Sequence, residues 1–286
     1  YVQYLKQINQ NWKAIIGARV DDDSVIGRQS SLRLGTVGQL PNNIIIKALA
    51  GSSFQAPSPE LLYRTAIQAG DIIGNPNLNA QQAKTYELSL SAPINKNMNM
   101  SVTYFNTQVD DLVVFTSDGS NLFATNNTTS KTHGVELEFR MLWQEVNSYI
   151  NYSWQQTRRD PSPYSLFVLE HRESGEIYPE HTLNFGVSYH LAEHNITFSW
   201  NNRWVGSRQA SSLNVLYINQ FYQLNPYLDS SITISKHQLT FFEDKETSLQ
   251  FHIKDVFNHK HVSPGFGGIE FPSRGRRFLL SIEQKF

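Results

Sequence analysis

Two acidic side chains near the middle of the chain have a spacing that could support chemistry. Glu136 and Glu138 are two residues apart, so on a β-strand they share one face and lie about 7 Å apart, since each strand residue rises about 3.3 Å. Some glycosidases use carboxylates at about this separation. Arg140 follows on the same face, which suits a polar lining better than a catalytic pair. Because the loops contain no recognisable nucleophile motif, the sequence predicts that the protein is not an enzyme.

The histidines are the next candidates, because imidazole is a common metal ligand. His259 and His261 flank Lys260, and His171 and His181 flank a loop. No carboxylate or third ligand stands at metal-ligand spacing from either pair. The chain also has no cysteine, which excludes disulfides, thiolate metal sites and cysteine nucleophiles. We therefore expect no metal site and no cofactor.

Arginines and aromatic residues occur together in several loop segments, and this combination can recognise a ligand. Aromatic faces and guanidinium groups suit a planar, anionic, hydrogen-bonding ligand, through stacking and charge-assisted hydrogen bonds. Taken singly, each of these residues is better explained by hydration or by contact with surface phosphates. As a set at one end of the fold they form the predicted ligand-binding group, which comprises Tyr63, Arg64, Tyr164, His171, Arg172, Arg208, Tyr217 and Arg274.

Strict alternation of apolar and polar residues is the main structural signal. In residues 135–143, VELEFRMLW, every second residue is apolar and three of the four between them are charged. This pattern is typical of a strand with two unlike faces. It predicts about thirteen strands, near residues 1–8, 12–20, 30–40, 44–54, 84–92, 98–109, 131–143, 147–158, 181–191, 195–207, 226–235, 247–257 and 275–286.

The connections between these strands alternate in length. The short ones are residues 9–11, 41–43, 93–97, 144–146 and 192–194, and the long ones are residues 21–29, 55–83, 110–130, 159–180, 208–225 and 258–274. One longer turn at residues 236–246 stands where a short one is expected. Alternation places all the long loops at one end, as in an outer-membrane barrel.

Composition agrees with strands that cross a membrane. The chain has 24 Lys plus Arg and 25 Asp plus Glu. Because these charges nearly cancel, nucleic acid is not expected as a partner. The mean hydropathy of -0.40 is typical of a water-soluble protein, but in a barrel the polar lumen residues offset the lipid-facing apolar residues in this average.

A water-soluble sandwich or propeller would also show alternation of apolar and polar residues. Against it, the polar faces carry more charge than a core tolerates, and tryptophans stand near predicted strand ends, where membrane girdles lie, at Trp143, Trp154, Trp200 and Trp204.

Four stretches resemble the TonB-dependent outer-membrane receptors. GSSFQAPSPELLY, residues 51–63, and GNPNLNAQQAKTYELSL, residues 74–90, are similar to boxes between two strands of that family, with Gln55 where the family has Arg or Lys. HIKDVFNHKHVSP, residues 252–264, resembles the end of the penultimate strand, although it differs from the usual pattern at two positions. GRRFLLSIEQKF resembles the final strand that ends on an aromatic residue, here Phe286, with Gln284 as a departure.

The resemblance implies an all-β fold, an antiparallel transmembrane β-barrel of the TonB-dependent receptor type in the bacterial outer membrane. The family's barrel has about 22 strands around a plugged lumen, so we expect this chain to supply roughly the last thirteen. Residues 1–286 would then be the C-terminal part of one barrel domain, with the plug domain absent. The implied partners are the TonB-ExbB-ExbD complex through a missing N-terminal region, outer-membrane lipid and lipopolysaccharide, and the barrel-assembly machinery through the strand ending in Phe286.

The resemblance further implies energy-coupled uptake of a scarce nutrient, and the loop residues favour a ferric siderophore. Cobalamin, haem, an oligosaccharide or passive flow through a porin-like barrel remain alternatives. Haem is disfavoured because the segment between the two boxes, residues 57–74, contains no histidine.

Overall fold

The fold consists almost entirely of β-strands. The computed structural model describes residues 1–68, 71–117, 121–159, 178–209, 222–242, 245–263 and 270–284. In these ranges no helix combines the length and the apolar character needed to cross a membrane.

The strands follow one another along the whole chain. Their bounds are β1 Val2–Gln7, β2 Trp12–Asp23, β3 Gly27–Gln39, β4 Ile45–Gln55, β5 Ile72–Ile73, β6 Gln81–Asn95, β7 Met98–Ser117, β8 Leu122–Trp143, β9 Val146–Arg159, β10 His181–Leu191, β11 Ile196–Val205, β12 Arg208–Gln209, β13 Gln223–Leu224, β14 Tyr227–Phe242, β15 Lys245–Lys254, β16 Val262–Ser263, β17 Phe271–Pro272 and β18 Arg277–Gln284. Helix α1 spans Pro59–Tyr63, and 3-10 turns form at Pro41–Asn43 and Ala192–His194.

Most strands belong to one sheet. Its order is β1-β2-β3-β4-β6-β7-β8-β9-β10-β11-β14-β15-β18, so each long strand pairs with its neighbours in the sequence. Outside this path, β5 pairs with β8, while β12 with β13 and β16 with β17 form two small sheets. The thirteen strands of the path confirm the predicted number and the all-β fold class.

Three predicted connections are wrong because the strands extend further than the apolar pattern does. β2 and β3 stay paired up to Asp23 and Gly27, so residues 21–29 form a hairpin rather than a long loop. β7 ends at Ser117 and β8 begins at Leu122, which replaces most of the expected loop 110–130. β14 and β15 likewise continue into the expected turn 236–246, with register shifts. Backbone hydrogen bonds continue a strand pair where side chains no longer alternate, which the sequence pattern cannot detect.

The tryptophan positions need a related correction. Trp143 ends β8 and Trp204 is one residue from the end of β11, as expected. Trp154 and Trp200 lie within β9 and β11. Trp154 is not terminal because β9 continues to Arg159.

Side chains on the long strands are arranged inversely to those of a water-soluble protein. On β6, the apolar Tyr86, Leu88 and Leu90 are 57%, 47% and 45% exposed, whereas Glu87 and Ser89 between them are half-buried. Buried apolar residues are few among those described, namely Leu62, Leu78, Ala80, Ala124, Val205 and Leu224. The prediction that the apolar faces point outward is confirmed, and a sandwich with a dry core between its sheets is excluded.

The chain divides into two compact units. One comprises Tyr1–Leu90, Thr103–Val135 and Gln155–Gly175, and the other comprises Ser91–Val102, Glu136–Trp154 and Glu176–Phe286. Only the first contains α1 and a buried apolar cluster of Leu62, Leu78 and Ala124, as far as the described residues go.

A tyrosine crosses a glycine on the sheet of the second unit. Tyr149 donates its hydroxyl hydrogen to Asn201 Oδ1 at 2.9 Å, although β10 separates their strands. Gly186 pairs with both residues from β10, and a Cβ there would lie 2.7 Å from the tyrosine ring. Glycine is therefore required for this polar contact across the strand.

Candidate ligand-binding loops

Tyr63 and Arg64 lie at the end of α1 in residues 56–80, a segment that we call the clamp loop. Ser58 caps the helix, because its side-chain oxygen accepts a hydrogen bond from Leu61 N at 3.4 Å. Arg64 pairs with Glu60, one turn earlier, at 2.5 Å. Tyr63 is 60% exposed. Tyr63 is thus accessible to a ligand, whereas the Arg64 guanidinium already has a carboxylate partner.

Backbone hydrogen bonds fold the clamp loop back on itself. Gly74 N donates to Arg64 O at 2.7 Å, and Asn75 N donates to Leu61 O at 2.8 Å. The Asn75 side chain donates to Ala124 O on β8 at 2.9 Å. A Cβ at residue 74 would lie 2.6 Å from two backbone nitrogens, so a larger residue would displace the loop. The glycine and asparagine of the GNP box therefore hold the loop in place.

Apolar packing completes the clamp loop. Leu62 and Leu78 are each 4% exposed and pack with Ala124, which is 0% exposed. β5 adds a short parallel pairing with β8, in which Ile72 faces Leu122. The loop is consequently attached to β8 by side chains and by backbone.

Asp71 stabilises the clamp loop through its side chain. Its carboxylate accepts hydrogen bonds from Ile67 N at 2.9 Å and Gln68 N at 3.1 Å. These two N–H groups favour the ionised form and lower the pKa of Asp71 below its usual value. Asp71 O also accepts a hydrogen bond from Leu122 N at 3.0 Å.

A second loop region, in the other unit, encloses a cleft. The cavity has a volume of about 790 Å³ and is lined by residues 222–226, 258–262, 270 and 272–275. We call it the His261 cleft. Its lining includes His259, Lys260, His261, Glu270 and Arg274. The two cationic residues, Lys260 and Arg274, therefore outnumber the one acidic residue, Glu270.

An aromatic stack forms next to this cleft. The rings of Tyr227 and His261 are 3.7 Å apart and nearly parallel, with an angle of 7°. The His259 ring lies 6.4 Å from that of His261. Arg208 covers the Tyr227 ring, with its guanidinium carbon 5.2 Å from the ring centre. The cation–π contact orients the Tyr227 ring, and His261 stacks on that ring.

Arg208 supports the cleft wall through the backbone as well. It is 6% exposed, and its Nη2 donates to Val262 O at 2.6 Å. Burial lowers the pKa of Arg208, an effect that Tyr227 and Glu270 oppose. Arg208 Nη1 and Glu270 Oε1 are buried without a hydrogen-bond partner within the described part of the chain.

The turn after β15 shapes the other wall. Asp255 and Asn258 both have positive φ, 52° and 53°, a conformation that Asp and Asn tolerate better than most residues. Asp255 Oδ1 accepts a hydrogen bond from His259 N, and Asn258 Oδ1 accepts one from Arg276 N, each at 2.9 Å. Gly275 faces Asn258 with a φ of 68°. The segment at residues 255–258 is therefore a turn-forming motif.

The structure brings together some of the predicted ligand-binding residues. Arg274 lines the His261 cleft and Arg208 supports its wall, whereas Tyr63 and Arg64 belong to the clamp loop. Tyr164, His171, Arg172 and Tyr217 lie outside the described residues. Sequence reasoning missed Tyr227, which it assigned to a strand, and considered His261 only for metal binding. Across the described ranges, no group of three or more metal-type side chains is found.

Comparisons with known proteins identify relatives over most of the chain. Residues 1–251 match the family model described as TonB dependent receptor-like, beta-barrel. A vitamin B12 transporter, BtuB, of Vibrio vulnificus is 22% identical over 272 residues, which cover 94% of this chain and 39% of that protein. BtuB of Photobacterium profundum is 28% identical over 132 residues, 44% of this chain and 21% of that protein.

Solved structures share the fold. The siderophore receptor PirA from Acinetobacter baumannii has a TM-score of 0.78 at 15% identity, covering 99% of this chain and 45% of its own. The outer membrane transporter YddB from Escherichia coli has a TM-score of 0.76 at 16% identity, covering 97% and 43%. The chain thus spans less than half the length of these proteins.

Proposed function

Because this chain belongs to the TonB-dependent receptor family of the bacterial outer membrane, we propose that it forms part of a receptor for energy-coupled uptake of a ferric siderophore. The observation that carries the choice of ligand is the His261 cleft, where Arg274, Lys260 and two histidines line one cavity. Cationic donors and stacked rings suit an anionic chelate whose iron-binding groups include planar rings. The family consists of transport receptors, which supports a role in binding and transport over one in catalysis.

The second candidate is cobalamin. It is favoured by the two curated relatives, both of which are named vitamin B12 transporters. PirA, described as a siderophore receptor, supports the first candidate. The cleft's charge supports a ligand that carries negative charge, which is the reason for placing the siderophore first.

Transport would need parts beyond this chain. The partial coverage of its relatives supports the proposal that a longer protein supplies the remaining strands and a plug, on which the TonB-ExbB-ExbD complex would act. In that protein the cleft would capture the ligand at the loop end. A role for Phe286 in recognition by the barrel-assembly machinery is likewise a proposal, and this residue lies outside the described ranges.

Titration of the purified full-length receptor would test the ligand. Ferric catecholate, hydroxamate and citrate chelates, cobalamin, haem and an oligosaccharide are each added while intrinsic tryptophan fluorescence is followed. We expect binding of one ferric chelate. Arg274→Ala should weaken it about 10- to 100-fold, the equivalent of a charge-assisted hydrogen bond of about 1.5–3 kcal/mol.

The matched control is Arg276→Ala. Arg276 is also exposed and stands two residues away, but it does not line the cleft, so its loss should leave affinity within about twofold, as for a rim charge. Tight cobalamin binding with no response to any iron chelate would contradict the siderophore assignment.

A further inference from the structure

The apolar face of β1 to β4 contains a shallow groove. Its volume is about 540 Å³, and its lining consists of Tyr4, Lys6, Ala14, Ile15, Ile16, Leu34, Gly35, Thr36, Ala48, Leu49 and Ala50. The groove belongs entirely to the first unit. It does not contribute to the ligand-binding loops described above.

Strand register explains why the surface is depressed at this place. Ala14 pairs with Thr36, which pairs with Ala48, so three small side chains form one row across β2, β3 and β4. Paired residues of antiparallel strands share a face. The adjacent row contains Ile16 and Leu34, which are 49% and 40% exposed and stand higher.

The floor of the groove offers almost no polar group. The Thr36 hydroxyl donates to Lys13 O at 3.1 Å, so it is already satisfied by the backbone. The alanines add only methyl groups. Across the three spacings between β1 and β4, at about 4.8 Å each, the groove extends about 14 Å. An extended hydrocarbon chain fits such a surface.

One charged residue borders the groove. Lys6 is the only charged side chain among the lining residues. It pairs with Ala14, at the end of the row of small residues. Lys6 stands one residue before the end of β1, next to the short turn at residues 8–11. Because β1 to β4 are antiparallel, this turn lies at the end of the sheet opposite to the clamp loop. In outer-membrane barrels the end away from the longer loops is periplasmic, and there a lysine reaches toward lipid headgroups.

We propose that this groove binds an acyl chain of an anionic phospholipid of the periplasmic leaflet, with the lipid phosphate against the Lys6 ammonium. The proposal uses the membrane orientation of the family but not the identity of the transported ligand. A second copy of the chain fits less well, because a two-fold contact through this face would bring the lysines of both copies to the same patch.

Native mass spectrometry of the full-length receptor with phosphatidylglycerol tests this proposal. Ala48→Leu fills the groove and should abolish the bound lipid. Lys6→Gln keeps the groove but removes the charge, and should weaken retention about fivefold. The matched controls are Ala92→Leu on β6 and Lys96→Gln in the next short turn, neither of which lines the groove.

The outcomes are distinct. Loss of phosphatidylglycerol in Ala48→Leu and weaker retention in Lys6→Gln, with both controls unchanged, support the site. Equal retention in all four variants overturns it, as does a change from dimer to monomer in Ala48→Leu without a change in lipid. Ligand titration of the same preparations is independent, so failure of the siderophore assignment would leave this result interpretable.

Discussion

The clamp loop buries leucine side chains, whereas the wall of the His261 cleft contains buried atoms of Arg208 and Glu270 that have no hydrogen-bond partner among the described residues. The clamp loop also satisfies its polar groups through Gly74, Asn75 and Asp71. Buried groups without partners cost stability and are retained at sites that interact with something else. The difference supports the proposal that the His261 cleft binds the ligand, whereas the packing and hydrogen bonds of the clamp loop maintain its own conformation.

The largest effect should come from Gly74→Ala. The new Cβ would lie 2.6 Å from the backbone nitrogens of Tyr63 and Arg64, and backbone cannot yield as a side-chain tip can. We expect a loss of about 3 kcal/mol in the stability of the clamp loop, measured as faster hydrogen exchange over α1 and β5. Gly51→Ala is the control, because the nearest atom there is 3.5 Å away. Unchanged exchange in Gly74→Ala would remove the contrast between the two loops.

A smaller effect is expected for Tyr227→Leu. This change removes the ring that stacks on His261 and faces Arg208, a contribution of about 1 kcal/mol. Affinity for the proposed ferric chelate should fall about fivefold, and urea unfolding should show that the receptor remains folded. Tyr227→Phe retains the ring and should bind normally. Equal weakening in both variants would mean that the hydroxyl, and not the stack, supports the cleft.

The smallest effect is a response of the clamp loop to acid. The pKa of Asp71 is lowered by its backbone hydrogen bonds, so the carboxylate stabilises the turn above its unfolded pKa of about 3.9. That stabilisation is lost as the pH falls through the lower pKa of the folded state. Hydrogen exchange at the Ile67 and Gln68 amides, which donate to this carboxylate, should therefore quicken on acidification in the wild type after correction for intrinsic rates. Asp71→Asn should respond less, and an identical response would refute the role of the carboxylate.

Most of the sheet could be predicted because the alternation that marks each strand lies within a short stretch of sequence. Alternation within ten residues identified each long strand, including the exposed and half-buried faces around Leu88. The ends were less predictable, since Asp21–Asp23 continue β2 through pairing with Gln29 to Gly27 and not through alternation. Strand segments held by backbone pairing alone leave no such pattern, so the sequence predicts loops where the structure has hairpins.

The candidate sites were predictable only in part for a related reason. Arg208 and Arg274 were identified by residue type, which suffices to suggest a charged ligand. Tyr227 and His261 are 34 residues apart in the sequence, and Asn75 reaches Ala124 across 49 residues. Contacts at such separations depend on strand order and register, which local patterns do not encode.

The outward position of leucines such as Leu88 reverses the usual rule for judging substitutions. In most proteins a half-exposed side chain tolerates charge, because water surrounds it. Here Leu88→Arg would place a guanidinium in hydrocarbon, which near the bilayer midplane destabilises the barrel by about 2–4 kcal/mol. Ser89→Arg would place the same group on the opposite, polar face. Solvent exposure thus identifies the positions of this sheet where variation is least tolerated.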